Sequence, residues 1–387
     1  MKKDILIVFP FFDIGGSTTS AINFLNNIDT DKYNVDLICQ YAQNPYLKFV
    51  NNKINFLGCA KKKKTIFALL IKIRILMNIN LIKFSIKKSI KEKKIEISFD
   101  YLQWLVPKLY SRLDKKYDVA IGFMEGWSNA YILSNVNAMK RFAWIHTNYK
   151  DAKLNSEVDY PFFREFDYIV SVSEACKKSF DEIFPTLFDK SIVIENIIDS
   201  DIIKKQSNEF EIQKDYTVLN IVTMCRLSIY TKGLDFIVEC AKKLVDTNAK
   251  FLWHIVGDGI DEDIFRSMIV QNGLQNNFRL YGKKLNPYPY LKQADIFVLA
   301  SRYEGKPISV TEAMILNIPV VVSNYAEAHN QVKNNITGFV LDDIDNQLFE
   351  LLYEFCNNRN RLEHIKANLS KENFTNKEEL KKLDRLF

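Results

Sequence analysis

The sequence predicts an α/β protein made of two lobes, each a parallel β-sheet covered by helices. Apolar runs of strand length alternate with amphipathic, helix-like segments, and this alternation occurs twice along the chain. A polar, irregular stretch at 199–216 separates the two runs and is the expected linker. With 387 residues and 47% hydrophobic content, the chain is long enough for two full-sized cores. A single large doubly wound domain is the alternative.

The first predicted lobe, residues 1–199, opens with a strand and a helix. The continuous apolar run DILIVFPFF at 4–12 is typical of a strand that is buried on both faces. After Gly15 and Gly16, apolar residues recur at helical spacing as far as Ile28. Further strands are predicted at 33–39, 118–123, 140–146, 166–173 and 190–198, and a helix at 174–184.

The second predicted lobe, residues 200–387, restarts the alternation after the linker. Its first strand, at 218–225, is followed by an amphipathic helix at 233–245. Later strands are predicted at 250–257, 278–282, 294–301, 318–324 and 338–341, and a charged, helical segment from about Asn358. Two Rossmann-like lobes of this kind are expected to face each other across a cleft. A nucleotide would then bind at the carboxyl ends of the strands.

The net charge of +6 is unevenly distributed. Residues 61–94 contain eleven lysines and Arg74 against one acid, Glu92, so this basic segment carries +11 and the rest of the chain −5. Lys72, Arg74 and Lys83 interrupt its apolar residues too often for a membrane-spanning helix. Contact with an anionic membrane surface is the favoured interpretation. The solvated face of ordinary helices is the alternative. No nucleic-acid motif accompanies the patch, so no nucleic-acid partner is expected.

The cysteines and the first residues favour a reducing compartment. Six cysteines show no CxxC pair and no neighbouring histidine cluster, which argues against a zinc site and against a disulfide framework. The opening residues MKKDILIVFPFFDIGG lack a small-residue cleavage site and contain Asp4. A first strand is therefore expected there rather than a secretory signal.

Two glutamates with seven residues between them stand in the stretch SRYEGKPISVTEAM. Glu304 lies in a loop after a predicted strand, and Glu312 lies in a helix whose first turn Pro307 suits. Carboxylates bind the vicinal hydroxyls of a ribose or a hexose well. The free amides at a helix start suit phosphate or hydroxyl groups. The alternative is a solvated Glu304 and an exposed, helical Glu312.

Two cations mark the end of the second lobe's first strand, in CRLSIYTKGL at 225–234. Arg226 directly follows the strand, and Lys232 and Gly233 directly precede the next helix. Arginine offers a planar fork of donors and lysine a movable point charge, a combination that suits a diphosphate without a metal. Gly233 lets the chain approach its neighbours closely. The alternative is a pair of ordinary surface charges.

The first lobe offers weaker candidates. Gly15 and Gly16 allow close backbone approach of a ligand at a helix start, but they form no GxGxxG motif, so nicotinamide binding is not indicated. His146 ends a predicted strand and is either a cleft histidine that contacts the reacting sugar or a half-buried structural one. His254, within a predicted strand, is expected to be structural. His329 could approach the cleft.

Together these residues resemble the retaining glycosyltransferases of family 4, the glycosyl transferases group 1, which have the GT-B fold. The resemblance spans essentially the whole chain, is strongest from residue 221 to 341 and is looser between 40 and 115. It implies that Arg226 and Lys232 hold the diphosphate of a nucleotide sugar, the donor. The family's E-x7-E pair matches Glu304 and Glu312.

By the same resemblance, Glu312 binds the nucleotide ribose, and Glu304 lies near the donor sugar. His146 resembles a first-lobe histidine near the reacting centre. The resemblance therefore gives the catalytic set as Glu304, His146, Arg226 and Lys232. Further donor-binding positions implied by the family pattern are Gly15, Gly16, Gly257, Gly282, Gly305, Lys306, Pro307 and Ile308.

The sequence departs from the family pattern in two places. After Glu304 it reads Gly-Lys-Pro, where many relatives have Gly-Phe-Gly or Gly-Phe-Pro. After VVVSN it reads YAEAH rather than a Gly-Gly turn. Both positions lie near the donor sugar and phosphates in the family, so they bear on the choice of sugar more than on the class of reaction.

The resemblance implies transfer of a hexose from a nucleotide diphosphate sugar, with a UDP-sugar favoured, to a lipid-linked or growing surface polysaccharide. The anomeric configuration would be retained, and no metal or other cofactor is expected. The expected location is cytoplasmic, peripheral on the inner face of the cytoplasmic membrane, with the basic segment toward the lipid. A nucleotide-sugar 2-epimerase of the same fold and a non-catalytic membrane scaffold are the alternatives.

Overall fold

The computed structural model describes residues 2–13, 15–41, 45–63, 103–152 and 154–387. Most of the basic segment, from residue 64 onward, lies outside these ranges, so its predicted role is not addressed by the structure. The chain divides into two compact units. The first unit comprises Met1–Asp13, Ala21–Glu195 and Glu378–Phe387, and the second unit comprises Ile14–Ser20 and Asn196–Lys377.

In the described residues of the first unit, seven parallel strands form one sheet in the order β3-β2-β1-β4-β5-β6-β7. The strands are β1 Lys3–Phe9, β2 Tyr33–Cys39, β3 Asn55–Cys59, β4 Lys116–Gly122, β5 Asn137–Ile145, β6 Tyr168–Ser171 and β7 Ser191–Val193. The helices are α1 Gly16–Asn27, which starts in the residues grouped with the second unit, α2 Trp127–Asn135, α3 Ser156–Phe163 and α4 Glu174–Ile183.

The second unit contains six parallel strands in the order β10-β9-β8-β11-β12-β13 within its described residues. They are β8 Leu219–Met224, β9 Phe251–Val256, β10 Phe278–Gly282, β11 Ile296–Leu299, β12 Val320–Ser323 and β13 Gly338–Leu341. The helices are α5 Ser200–Gln206, α6 Ile229–Lys232, α7 Leu234–Asp246, α8 Glu262–Gln271, α9 Tyr288–Lys292, α10 Ile308–Ile315, α11 Ala328–Gln331, α12 Ile344–Asn357 and α13 Asn360–Leu369. The predicted fold class, α/β with two Rossmann-like parallel sheets, is confirmed.

Continuous apolar runs explain why the central strands are buried. β11 and β12 read IFVL and VVVS, and all their residues are buried, as expected for central strands covered by helices on both faces. The amphipathic helix α7 turns Leu234, Ile237 and Leu244 into the core of the second unit, where they contribute to a single apolar cluster with the strands. β3 was not predicted from the sequence, because it is an edge strand whose mostly exposed residues leave no continuous apolar run.

The predicted linker is partly helical. Residues 200–206 form α5 because the Asp199 side chain accepts a hydrogen bond from the amide of Asp201 at 3.2 Å, and Ile203 is buried. The prediction of an irregular 199–216 was therefore wrong for its first half, since a capped helix seven residues long carries too short an apolar pattern to be recognised.

The last ten residues, which the sequence places with the second lobe, group with the first unit. They include α14, Lys381–Asp384. Phe387 packs edge-on against Tyr33 and Phe142, with ring centroids 5.5 Å apart in both pairs. The Tyr33 hydroxyl donates to Asp384 Oδ1 at 2.6 Å. Apolar contact and this hydrogen bond thus hold the chain terminus on the first sheet.

His254 is buried in β9 and is hydrogen-bonded on both ring nitrogens. Nδ1 lies 3.0 Å from the Tyr281 hydroxyl, and Nε2 lies 3.2 Å from Asn220 Oδ1. Burial lowers the pKa of His254 from 6.5 to about 4, because desolvation disfavours the charged imidazolium. The ring is a neutral hydrogen-bonding member of the core.

Gly233 is required where α6 meets α7. Its φ of 61° is in the left-handed region, and a Cβ there would lie 2.0 Å from the carbonyl oxygen of Ala300. Gly273, after α8, has a similar φ of 70°, but a Cβ there would have no neighbour within 4 Å.

We expect Gly233→Ala to destabilise the protein much more than Gly273→Ala. Both changes force alanine into the left-handed region, at about 1–2 kcal/mol. Only the first also drives a methyl group into backbone. Thermal unfolding followed by circular dichroism measures both. Equal losses of Tm would show that the approach to Ala300 is not a tight constraint.

Candidate functional site

The candidate site of the second unit lies where the order of its strands reverses. β8 and β11 are neighbours in the sheet, and their connections run in opposite directions from this point. In open parallel sheets, ligands bind outside the carboxyl ends of the strands at such a switch point. Arg226 and Lys232 follow β8, and Ser301 and Glu304 follow β11.

Arg302 fastens the loop after β11 to the segment after β8. Its guanidinium donates to both carboxylate oxygens of Asp235, at 2.8 and 2.5 Å, and its amide donates to the carbonyl of Thr231 at 3.1 Å. The guanidinium also lies over the rings of Phe236 and Tyr230, 4.1 and 4.7 Å from their centroids. This bidentate and stacked arrangement fixes the geometry of both loops.

These contacts of Arg302, called the Arg302 clamp below, bring Lys232 and Glu304 together. Lys232 Nζ lies 2.6 Å from Glu304 Oε1, which also accepts a hydrogen bond from Ser301 Oγ at 2.7 Å. The side chains are only 23% and 12% exposed. The alternative of a solvated Glu304 is therefore wrong. Two residues selected for separate roles in ligand binding thus form one ion pair.

Arg226 is exposed and has no ion-pair partner among the residues that the structure describes. A Cβ at Gly15, which is grouped with the same unit, would lie 4.0 Å from Arg226 Nη2, whereas Gly16 has open space around it. Gly15 has a φ of 151°, which side-chain-bearing residues rarely adopt. The arrangement leaves a guanidinium available to an anion.

Gly257 directly follows β9, and Gly282 is the last residue of β10. A Cβ at Gly257 would lie 2.0 Å from the carbonyl oxygen of Cys225, and the Gly257 amide donates to the Gly282 carbonyl at 3.0 Å. Gly257 is thus explained by close backbone packing. Gly282 has a φ of 66° and open space around it, so its left-handed turn, rather than crowding, accounts for the glycine.

The loop at 305–307 is held by residues that the sequence did not single out. Gln331 Nε2 donates to the Pro307 carbonyl at 2.8 Å and to Thr311 Oγ1 at 2.9 Å, and its Oε1 accepts from the Tyr325 hydroxyl at 2.8 Å. Pro307 precedes α10, which begins at Ile308, so the prediction that Pro307 lies in the first turn was off by one residue. Gly305 and Lys306 are partly buried and Ile308 is buried.

Tyr325 occupies the second position where the sequence departs from the family pattern. Burial raises the pKa of Tyr325 well above its usual value, and the charges of Glu304 and Glu327 add to the effect. The hydroxyl therefore stays protonated beside the site and acts as a donor. The departure itself was the sequence signal for this residue, whereas Ser301, Arg302 and Gln331 carried none.

Glu312 is buried, with 4% of its surface exposed, so the alternative of an exposed helical carboxylate is wrong. Its Oε1 accepts a hydrogen bond from the Tyr288 hydroxyl at 2.8 Å. Burial raises the pKa of Glu312 from 4.5 to about 7, and the Tyr288 hydrogen bond opposes the shift. The group is thus half-protonated near neutral pH.

His146 lies in the first unit, directly after β5. Its Nε2 is 3.1 Å from the carbonyl of Phe123, and its amide donates to Glu125 Oε2 at 3.1 Å. Burial lowers the pKa of His146, and the charge of Glu125 opposes this only in part. The imidazole is therefore neutral near pH 7, beside a carboxylate that the sequence did not point out.

The described ranges offer neither a metal site nor a membrane-spanning helix. They contain no group of three His, Cys, Asp or Glu side chains placed to hold a metal ion. No helix in them is both long enough and apolar enough to cross a bilayer.

Comparison with known proteins shows the class of fold and a match to one family model. A solved structure of Anabaena HepE in complex with UDP-glucose matches with a TM-score of 0.70 at 14% identity, over 99% of this chain and all of that one. At this identity the likeness shows the fold, which is GT-B. Residues 204–372 match the family model of the glycosyl transferases group 1. This match confirms the resemblance that was predicted from the motifs.

Two curated relatives with 30% identity or more align over shorter stretches. An uncharacterized glycosyltransferase of Methanocaldococcus jannaschii is 30% identical over 48% of this chain and 48% of that protein. The UDP-Gal:alpha-D-GlcNAc-diphosphoundecaprenol alpha-1,3-galactosyltransferase of Escherichia coli is 33% identical over 28% of this chain and 30% of that protein. The matched region thus spans half or less of the length of these relatives.

We expect Glu312→Gln to alter how stability depends on pH. The folded state keeps a proton on Glu312 that the unfolded state loses between pH 4.5 and about 7. The contribution of Glu312 to stability is therefore fully present below pH 4.5 and falls as pH rises through this window, by roughly 3 kcal/mol in all. Glutamine mimics the neutral acid, so the stability of the variant relative to the wild type increases as pH rises.

Urea unfolding at pH 4.5, 6 and 7.5 measures this difference. Glu239→Gln, on the exposed side of α7, is the matched control and should give no such trend. If the difference in the free energy of unfolding between Glu312→Gln and the wild type were the same at all three pH values, the buried carboxylate would not titrate in this range.

Proposed function

We propose that the protein is a retaining glycosyltransferase that moves a hexose from a nucleotide diphosphate sugar, with UDP-sugars favoured, to a lipid-linked or growing surface polysaccharide. The observation that carries this proposal is the set of Arg226, Lys232 and Glu304 at the switch point of a parallel sheet. It places two cations and a carboxylate where a diphosphate sugar is expected to bind.

In the proposed reaction, Arg226 and Lys232 neutralise the charge that develops on the leaving diphosphate. This is electrostatic stabilisation by groups held in place beforehand, Lys232 by its ion pair and by the Arg302 clamp. Glu312 receives the ribose, and Glu304 orients the transferred sugar. His146 is assigned to sugar positioning from the sequence resemblance alone.

No enzymatic nucleophile is assigned. We therefore infer a front-side substitution, in which the bond from the anomeric carbon to the diphosphate oxygen breaks and the acceptor oxygen bonds on the same face. The departing phosphate helps to remove the acceptor's proton. Retention then needs no covalent sugar–enzyme intermediate.

The acceptor class is proposed from similarity to proteins of known specificity. The Escherichia coli relative is named for transfer to a diphosphoundecaprenol-linked sugar. A lipid-linked acceptor fits a peripheral position on the inner face of the cytoplasmic membrane, with the basic segment contacting anionic lipid.

The first test is a binding and activity screen. Calorimetric titration with UDP-, GDP- and ADP-sugars should give binding with at least one of them. Incubation with the bound sugar and no acceptor should leave the sugar unchanged. Formation of its 2-epimer would contradict the transferase proposal, and failure of all three nucleotides to bind would favour a scaffold.

We expect Lys232→Ala to weaken nucleotide-sugar binding and to abolish transfer. Loss of a hydrogen bond to a charged group costs about 1.5–3 kcal/mol, which corresponds to a loss of roughly 10- to 150-fold in affinity. Lys242→Ala is the matched control, because Lys242 is exposed on α7. Full transfer activity in Lys232→Ala would show that Lys232 is not part of the donor site.

Glu304→Gln separates charge from chemistry at the same position. It removes the carboxylate charge that pairs with Lys232, so UDP should bind at least as tightly as to the wild type, while transfer falls. Loss of UDP binding in this variant would mean that Glu304 holds the nucleotide rather than the sugar.

We expect charge reversal in the basic segment to weaken membrane binding. Lys87→Glu with Lys88→Glu changes the net charge of the protein by −4, and each basic residue near an anionic surface contributes about 1 kcal/mol. Co-sedimentation with vesicles containing phosphatidylglycerol is the measurement. Lys381→Glu with Lys382→Glu is the charge-matched control. Unchanged sedimentation of the first variant would favour the alternative, in which the basic segment is an ordinary solvated face.

A further inference from the structure

The carboxylate of Glu312 has one hydrogen-bond donor in the described structure. Tyr288, itself buried, donates from its hydroxyl to Oε1 at 2.8 Å. The other oxygen, Oε2, accepts no hydrogen bond from the part of the chain that the structure describes. Oε2 is not among the buried polar atoms that lack a partner, so it keeps some contact with solvent and can accept a hydrogen bond from a ligand's hydroxyl.

The surroundings of Glu312 are apolar. Tyr288 packs with Ile198, Ile203, Ile308 and Ile315 in one small cluster. α10 packs against α5, α9, β11 and β12, and the two strands carry no titratable side chain. On α9, Lys292 Nζ donates to Asn208 Oδ1 at 2.5 Å and Tyr290 packs against Tyr281. The titratable residues of α5 are exposed: Asp201, Lys204 and Lys205.

No cation from these elements therefore neutralises Glu312, and the Tyr288 hydroxyl alone favours its charged form. A ribose offers two vicinal hydroxyls, and each donates best to an ionised carboxylate. A proton on Glu312 must be displaced before both can bind. Donor binding and ionisation of Glu312 are thus linked.

We propose that Tyr288 is a positioning residue for donor binding, which orients the Glu312 carboxylate toward the ribose and makes nucleotide-sugar affinity depend on pH. This inference rests on the proposed function, and it adds a proton-linked control to that same site. The sequence motifs gave Tyr288 no role.

The experiment measures affinity for UDP-glucose and GDP-glucose by calorimetry from pH 5.5 to 8.5. These probes share the ribose and a diphosphate diester that does not titrate in this range. Wild-type affinity should fall about tenfold between pH 8 and 6, since Glu312 titrates near 7. Near pH 7, titrations in two buffers of different ionisation enthalpy should report release of about half a proton on binding. This measurement needs no variant.

Tyr288→Phe should bind about 5- to 50-fold more weakly at pH 7 and recover as pH rises, because losing the hydrogen bond moves the carboxylate's titration upward by about 1–2 pH units. Tyr290→Phe makes the same change two residues along α9, where no hydrogen bond of the hydroxyl is recorded in the described structure, and should behave as wild type. Glu312→Gln should bind weakly at every pH.

Each other outcome overturns the inference. An equal loss at all pH values in Tyr288→Phe would indicate a purely structural tyrosine, and unchanged affinity would indicate no role. Wild-type binding that is independent of pH would defeat the inference and leave the proposed function standing. No binding of either nucleotide sugar at any pH would overturn the inference, and the proposed function would fail with it if ADP-sugars also failed to bind.

Discussion

The second unit's site depends on one fastening between two loops. The guanidinium of Arg302, the carboxylate of Asp235 and the absence of a side chain at Gly233 join the segment after β8 to the segment after β11. Lys232 is the residue directly before Gly233, and Glu304 lies two residues after Arg302. The position of each charged group is therefore set by a neighbour that is locked to the opposite loop.

This fastening has an electrostatic result. A lysine and a glutamate held 2.6 Å apart with little solvent access neutralise each other. A partly buried pair of this kind gives modest net stability, because desolvation offsets most of the attraction. Under the proposed function, an arriving diphosphate competes with Glu304 for Lys232. A dianion attracts the Lys232 ammonium group more strongly than a monovalent anion does, so it can displace Glu304 where a monovalent anion cannot.

Much of the fold was predictable because parallel strands buried on both faces leave continuous apolar runs. The strands that form the centre of each sheet were all predicted. Edge and short elements were not: β3 is mostly exposed, and α5 is only seven residues long. The grouping of the last ten residues with the first unit depends on contacts between residues far apart in sequence, such as Tyr33 with Phe387.

The candidate site was predictable as a list of charged residues but not as a geometry. Arg226, Lys232 and Glu304 could be predicted because they lie in loops that follow buried strands. Glu312 could be predicted from its spacing after Glu304. It could not show that Glu304 is paired and Glu312 nearly sealed, since burial is decided by packing. Tyr288 and Gln331 lie on helices distant in sequence from the residues that they hold, so no local pattern could have pointed to them.

The buried histidine of β9 and the buried glutamate of α10 have opposite proton balances within one unit. Between about pH 4.5 and 6.5, folding takes up a proton at Glu312 and releases one at His254. Their effects on stability run in opposite directions across nearly the same range and largely cancel. The second unit can thus carry a titrating carboxylate at its site with little net proton exchange from this pair when the chain folds in mildly acidic conditions.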